Sequence, residues 1–360
     1  MIFLGVVGLS GSAVPGSPGE GINPARHEGR RFVNENPDAL PGFFGMLKWA
    51  LNRHPGFWHP YRDLPPGPPP PREVGPGQLR VTFINHATVL IQMDGLNILT
   101  DPIYSRRAGP VTWAGMERVR PPGIRFEDLP PIQVVLLSHN HYDHMDMPTL
   151  VRLEKRDHPR VLTGLGNSRY LSAEGIRNVQ EFDWGQGASL SDSVRATFVP
   201  AQHFSMRKVY DRDTTLWGGF VLEGRGTRVY FAGDTGWGPH LEEIHSRFGD
   251  FTLAILPIGA YQPEWFMGPA HMSPRDAVRA HELLKARVST PIHYGTFRLA
   301  DDGEEEPTEE LRKAMKAAGV SEQEFWILGF GEGRNVPVIG DGSLDDRRRP
   351  TADRRHRQEA

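Results

Sequence analysis

The chain has 360 residues, 38% of them apolar, a formal net charge of −3 and no cysteine. That is enough apolar material for one large core, and the charge balance excludes a global nucleic-acid-binding signature. Without cysteine there is no disulfide, thiolate ligand or thiol nucleophile, so any metal must be held by imidazole and carboxylate.

The first residues, MIFLGVVGL followed by SGSA, place Gly11 and Ala13 where a small-residue cleavage site would lie, but no basic flank precedes them. Cytoplasm or a membrane surface is therefore expected, with export as the alternative. No apolar run reaches the ~18 residues of a spanning helix. Residues 1–40, rich in Gly, Pro and Asn, are expected to be poorly ordered. In 41–63, Phe43, Leu47, Ala50 and Leu51 share one helical face, Phe44 and Met46 flank it, and Trp49 lies further round. That face is open to two readings: packing on the main domain, or contact with lipid or a partner chain. Seven prolines between Leu64 and Gln78 read as a stiff connector, which places an amphipathic aromatic segment and linker at 41–78.

The catalytic domain is expected at 79–339. LRVTFINHATVLIQMDGLNILTDPI alternates apolar and polar residues around an Asp94-Gly95 turn. IQVVLLSH reads as a strand buried on both faces. Asp146 is placed to cap a helix from Met147 to Asp157, with Pro148 in its first turn. VRATFVPAQH, the two halves of LWGGFVLEGRGTRVYFAGDT, FTLAILPIG and TPIHYGTF read as strands, and EFWILGFGE as the last one. Ser273 and Pro274 open a helix, and Thr308 and Gly319 bracket another. Residues 340–360 form a charged tail. Strands followed by strand–helix alternation, repeated, indicate two sheets face to face with helices outside.

Three of the fifteen histidines crowd into LSHNHYDHMD. His139, His141, Asp143 and His144 follow one strand, His203 a second, Asp234 a third and His293 a fourth. Alternate residues of an extended loop put His139 and His141 on one side, which suits a first metal completed by His203. Asp143 and His144 suit a second, completed by His293, with Asp234 bridging. His86, His240, His245 and His281 read as structural. Asp101 reads either as an acceptor for a ligand imidazole or as a turn former before proline.

SHNHYDHMD, QH, FAGDTG and PIHYGTF together resemble the metallo-β-lactamase superfamily, an α/β (α+β) four-layer αββα sandwich. More narrowly, NHATVLIQMDG, LTDPIYSRRAGP, LWGGFVL, EEIHSRFGDF, LPIGAYQPEWFM and IHYGTFRLA resemble the N-acyl-phosphatidylethanolamine-hydrolysing phospholipase D family, from about Phe32 in RFVNENP to about Glu332. The resemblance implies two zinc ions, with manganese or iron compatible, held by the same two ligand sets. It implies substrate contacts from Tyr142 and His271, with Tyr261, Gln262, Trp265, Phe266 and Met267 near the cleft. Asp143 and Asp234 would orient a nucleophilic hydroxide, and His271 would protonate the leaving group. Expected partners are a phospholipid or another small phosphodiester, a membrane surface and a second copy of the chain. A lactonase or small-ester hydrolase is the competing activity, and a non-catalytic member of the fold is the third reading.

Overall fold

A computed structural model describes residues 22–36, 42–111 and 113–338. The N-terminal apolar run and the charged tail lie outside the described residues. Two large sheets carry the fold. The first has seven strands in the spatial order Val179–Phe182, Arg160–Gly164, Val134–Leu137, Leu96–Thr100, Thr88–Met93, Leu79–Asn85 and Gly333–Asn335. The second has six, in the order Gly187–Ser189, Arg195–Val199, Gly219–Glu223, Arg228–Phe231, Leu253–Pro257 and Val288–Ile292.

Side-chain alternation builds the layers. In Val134–Leu137, Val134 and Leu136 join the core shared with the second sheet, while Val135 and Leu137 face an outer cluster with Leu150, Leu153 and Leu171. Helices Met147–Asp157 and Ser168–Ala173 supply those outer residues. Helices His240–Phe248, Pro274–Leu283 and Glu306–Ala318 contribute Leu241, Ala277 and Leu311 to the larger core on the other side. The result is the four-layer αββα sandwich.

Strand direction sets where function can sit. Leu79–Asn85, Leu96–Thr100 and Val134–Leu137 run the same way, with Thr88–Met93 opposed. In the second sheet Arg195–Val199, Arg228–Phe231, Leu253–Pro257 and Val288–Ile292 share a direction, with Gly219–Glu223 opposed. The residues that follow their C-terminal ends therefore gather at one rim.

Several local expectations change in the structure. Residues 22–36 are packed: Arg26–Glu28 pairs with Arg31–Val33, and Ile22, Ala25, Phe32 and Asn34 are buried. The proline-rich stretch is extended but pinned, with Gly67 N–H donating to Gly123 O, Gln92 Nε2 to Pro71 O and Asn97 Nδ2 to Arg72 O. Asp146 precedes its helix without capping a backbone N–H; its carboxylate accepts instead from Ser105 Oγ, Thr149 Oγ1 and the Tyr104 and Ser105 amides. Glu306, not Thr308, begins the last helix, which Gly319 ends in the left-handed region at φ 73°. EFWILGFGE is not a strand. Its start pairs with Ser289 at the edge of the second sheet, and its end crosses to Phe83 in the first, so it cannot run along either ladder.

The helix Phe43–Leu51 docks by the face the apolar pattern did not mark. Trp49 stacks on Phe266 at 5.0 Å between ring centroids and donates from Nε1 to Asp301. Arg53 lies over the Trp49 ring and binds the same carboxylate at 2.7 Å. Phe43, Leu47 and Leu51 remain 67%, 44% and 76% exposed, so their stripe is available for another contact.

Candidate metal centre

Four strand ends deliver the expected seven residues to one rim, and a fifth brings an eighth, His86, to join them. His139 Nε2 lies 2.8 Å from His141 Nδ1, which lies 3.3 Å from His203 Nε2. The imidazoles of His144 and His293 each approach Asp143 Oδ2, at 3.4 and 3.5 Å, and Asp234 Oδ2, at 3.2 and 3.0 Å. Asp234 Oδ2 is also 3.8 Å from His203 Nε2, so this carboxylate lies between the two groups.

The outward nitrogens of His139, His144 and His203 are held by the protein, which turns their other nitrogens inward. His139 Nδ1 pairs with Ser138 Oγ at 2.9 Å, His144 Nδ1 with Asp101 Oδ2 at 2.7 Å, and His203 Nδ1 with Ala270 O at 3.0 Å. Asp101 is thus an orienting acceptor rather than a simple turn residue; it also accepts from Ser138 N at 2.8 Å and Ser138 Oγ at 2.5 Å. His293 sits at φ 66°, just past its strand, and donates its N–H to His86 O. The chain can approach there because Gly259 has no Cβ; one would lie 1.9 Å from His293 O.

The electrostatics call for positive charge. Burial disfavours ionised Asp143 and Asp234, yet His144 and His293 hold both carboxyls well below the usual range. Burial pulls His144 down, but Asp234, Asp143 and Asp101 lift it well above an ordinary histidine; against burial, Asp234 and Asp143 lift His293 to about 9. The two carboxylates thus favour positive charge at these rings, whether a proton or a metal cation. Burial keeps His139 and His203 well below the usual range and His141 near 4, so these are neutral, ligand-competent imidazoles. His144 Nε2, His293 Nε2 and Asp234 Oδ1 are buried without a hydrogen-bond partner. A borderline divalent cation fits this donor set: nitrogen and oxygen atoms, desolvated, converging and unpaired.

His86 is the residue the sequence reading assigned to structure. Its Nε2 lies 2.8 Å from Asp143 Oδ2 and its ring centroid 4.2 Å from that of His293. Burial and His293 push it down to about 3 despite Asp143, so it is a neutral partner of that carboxylate. It follows the strand Leu79–Asn85, and the strand-end rule that selected His203 and His293 also selects it. His240, His245 and His281 stay outside, partnered by Thr235, Asp250 and Ser289.

The residues expected to touch substrate divide between two cavities. His141, Tyr142 and Asp143 line one of about 300 Å³ with Ala108, Met206, Arg207, Lys208 and Leu299. Tyr142 presents its ring there, because its hydroxyl donates to Arg207 O at 2.7 Å. Tyr261 and Gln262 line a separate cavity of about 700 Å³ between helices Pro274–Leu283 and Glu306–Ala318, and the Tyr261 hydroxyl bonds Glu306. Phe266 supports Trp49, and Trp265 is half exposed. His271 stands at the centre, with Nδ1 3.9 Å from Asp234 Oδ2 and unpartnered.

The beta-lactamase superfamily domain profile matches residues 96–294, more than half of the chain. The chain belongs to the metallo-β-lactamase superfamily. It is 36% identical over 299 residues to an uncharacterized Mycobacterium tuberculosis protein, covering 81% of this chain and 79% of that one. It is 34% identical over 267 residues to the N-acyl-phosphatidylethanolamine-hydrolyzing phospholipase D 1 of Caenorhabditis elegans, covering 71% of this chain and 75% of the relative. Among solved structures, a possible metal-dependent hydrolase of Veillonella parvula shares the fold, with a TM-score of 0.58 at 18% identity over 72% of this chain and 99% of that one.

Proposed function

We propose that this metal-dependent hydrolase of the metallo-β-lactamase superfamily cleaves a phosphodiester, with N-acyl-phosphatidylethanolamine or a related phospholipid as substrate. The observation that carries the reading is the pair of converging donor sets with one carboxylate between them. His139, His141 and His203 would hold one ion, Asp143, His144 and His293 a second, and Asp234 would reach both. Zinc suits these ligands, and manganese or iron shares their oxygen and imidazole chemistry. When bound, such ions lower the pKa of water to about 7 and offset charge on phosphoryl oxygens. The similarity to the nematode phospholipase D supports the lipid class.

The chain's own groups do the rest. Asp143 and Asp234 each bring a carboxylate oxygen against His144 and His293 and would orient the attacking water. Arg207 and Lys208 bring positive charge to the cavity beside them, where a phosphate would enter. Burial pushes His271 down to about 4, so it meets the substrate neutral. There it donates a hydrogen bond to a phosphoryl or leaving-group oxygen, and the phosphate's negative charge favours its protonated form. As water adds to phosphorus opposite the headgroup oxygen, its released proton goes to the neighbouring Asp143 or Asp234 carboxylate, and the P–O bond to the headgroup breaks with the departing oxygen taking the proton of His271 in its protonated form; the products are N-acylethanolamine and phosphatidic acid.

Vesicles containing N-acyl-phosphatidylethanolamine, hydrolysed in oxygen-18 water, are expected to yield phosphatidic acid carrying the label on phosphate. Label in a released fatty acid would show an esterase or amidase, and lactone opening without lipid turnover would replace the reading with a lactonase. His271→Ala is expected to lower turnover about 10²–10⁴-fold at unchanged metal content; a loss of metal instead would make His271 a ligand.

The exposed stripe on helix Phe43–Leu51 gives such an enzyme a lipid contact. Phe43→Ser, Leu47→Ser and Leu51→Ser together are expected to weaken vesicle binding by about 10³-fold or more, since each removes roughly 1.5–3 kcal/mol of apolar burial in lipid. Folding should persist, because Trp49 and Arg53 hold the helix through Phe266 and Asp301. Unchanged sedimentation with vesicles would remove this contact.

A further inference from the structure

We propose that Asn34 is a positioning residue for His203, and that residues 31–36 strap this histidine's loop to the metal centre. The inference rests on the reading of His203 as a metal ligand. His203 lies further beyond its strand end than His139, Asp234 and His293 do beyond theirs, and only an isolated bridge between Gln202 and Gly236 continues the ladder. Its backbone must be fixed by other means.

Asn34, 3% exposed, grips both backbone polar groups of His203 from 169 residues away. Its Nδ2 donates to His203 O at 2.7 Å, and His203 N donates to its Oδ1 at 3.1 Å. Trp217 Nε1 donates to the same Oδ1 at 3.1 Å and so holds the amide's orientation. On one side Gln202 Nε2 donates to Asn36 O at 3.1 Å, while Gln202 N donates to Thr235 Oγ1 at 2.9 Å, beside Asp234. On the other, Phe32 N donates to Asp213 O at 2.8 Å, with the Phe32 ring buried. The amide clamp sets where the His203 backbone sits, and Ala270 O sets how its ring is turned. Together they aim Nε2 at His141. A ligand shell tolerates roughly 0.5 Å of displacement, so loss of the clamp is felt in metal affinity before it is felt in the fold.

The test uses the full chain and zinc alone. Competition against a chromophoric chelator reads the two stepwise zinc affinities, and thermal unfolding is followed for metal-free and zinc-loaded protein. Asn34→Ala is expected to weaken one zinc step about 10–100-fold, the same step that His203→Ala removes, and to shrink the zinc-induced rise in Tm. Equal Tm losses with and without zinc, at unchanged affinities, would overturn the positioning role and leave a plain structural one. If Asn34→Ala does not fold, Asn34→Asp keeps both accepted bonds and loses only the donor to His203 O. It should weaken the same step, and unchanged zinc affinities in that variant overturn the proposal. Intact zinc steps in His203→Ala overturn the ligand reading itself, and the inference with it.

Discussion

Asp234→Ala is expected to lose metal and turnover together. One oxygen of this carboxylate is within 3.2 Å of both His144 and His293, and its other oxygen is buried without a partner. It also lies 3.8 Å from His203, so this carboxylate stands between the two donor sets. On the proposed assignment its removal would take a shared ligand from both ions, and it takes half of the charge that Asp143 and Asp234 provide together. Elemental analysis of protein purified without chelator should fall from about two ions per chain to one or fewer. Turnover should fall by about 100-fold or more, the upper end of what a lost supporting ligand costs. Asp234→Asn, which keeps the shape and loses the charge, should follow the alanine variant. Full metal content with normal activity would remove the bridging assignment.

Asp101→Ala should cost stability as well as metal. The carboxylate is fully buried at φ 32° and serves three donors: Ser138 N, Ser138 Oγ and His144 Nδ1. Deleting it leaves those donors unpaired at a fully buried position. Breaking a buried charged pair in this way costs about 3–5 kcal/mol. His144 then loses the acceptor that holds its ring, and metal affinity should drop about 10–100-fold. Thermal unfolding of the metal-free protein checks the first effect and chelator competition the second. Unchanged values in both would show that His144 is oriented by something other than Asp101.

The two variants probe different kinds of legibility. Asp234 stands in FAGDTG after a strand, and its place is visible in the one-dimensional pattern because a strand end fixes where the next few residues go. Asp101 follows a strand as well, but LTDP is equally good turn chemistry, and only its contact with His144 separates the two meanings. His86 was hidden for a related reason. A single histidine after a strand is common in any fold, and what distinguishes this one is Asp143, 57 residues away, at 2.8 Å. The helix Phe43–Leu51 shows the limit of periodicity. The pattern correctly marks an amphipathic helix, but aliphatic spacing gives no account of a tryptophan that can both stack and hydrogen-bond.

By itself, the sequence determined the sandwich and the seven residues gathered at its rim. Both follow from short-range rules: alternation sets which face a strand residue takes, and the His-x-His-x-Asp-His spacing brings its side chains together within one loop. The tertiary structure decided which remote groups complete the site. Asn34, Asp101 and His86 reach His203, His144 and Asp143 across 169, 43 and 57 residues. Tyr261 and Gln262 line a cavity apart from the one beside His141, because their loop faces the groove between two outer helices. Such contacts depend on how sheets and loops stack in space, and hydrogen bonds formed over those separations leave no period or spacing in the chain.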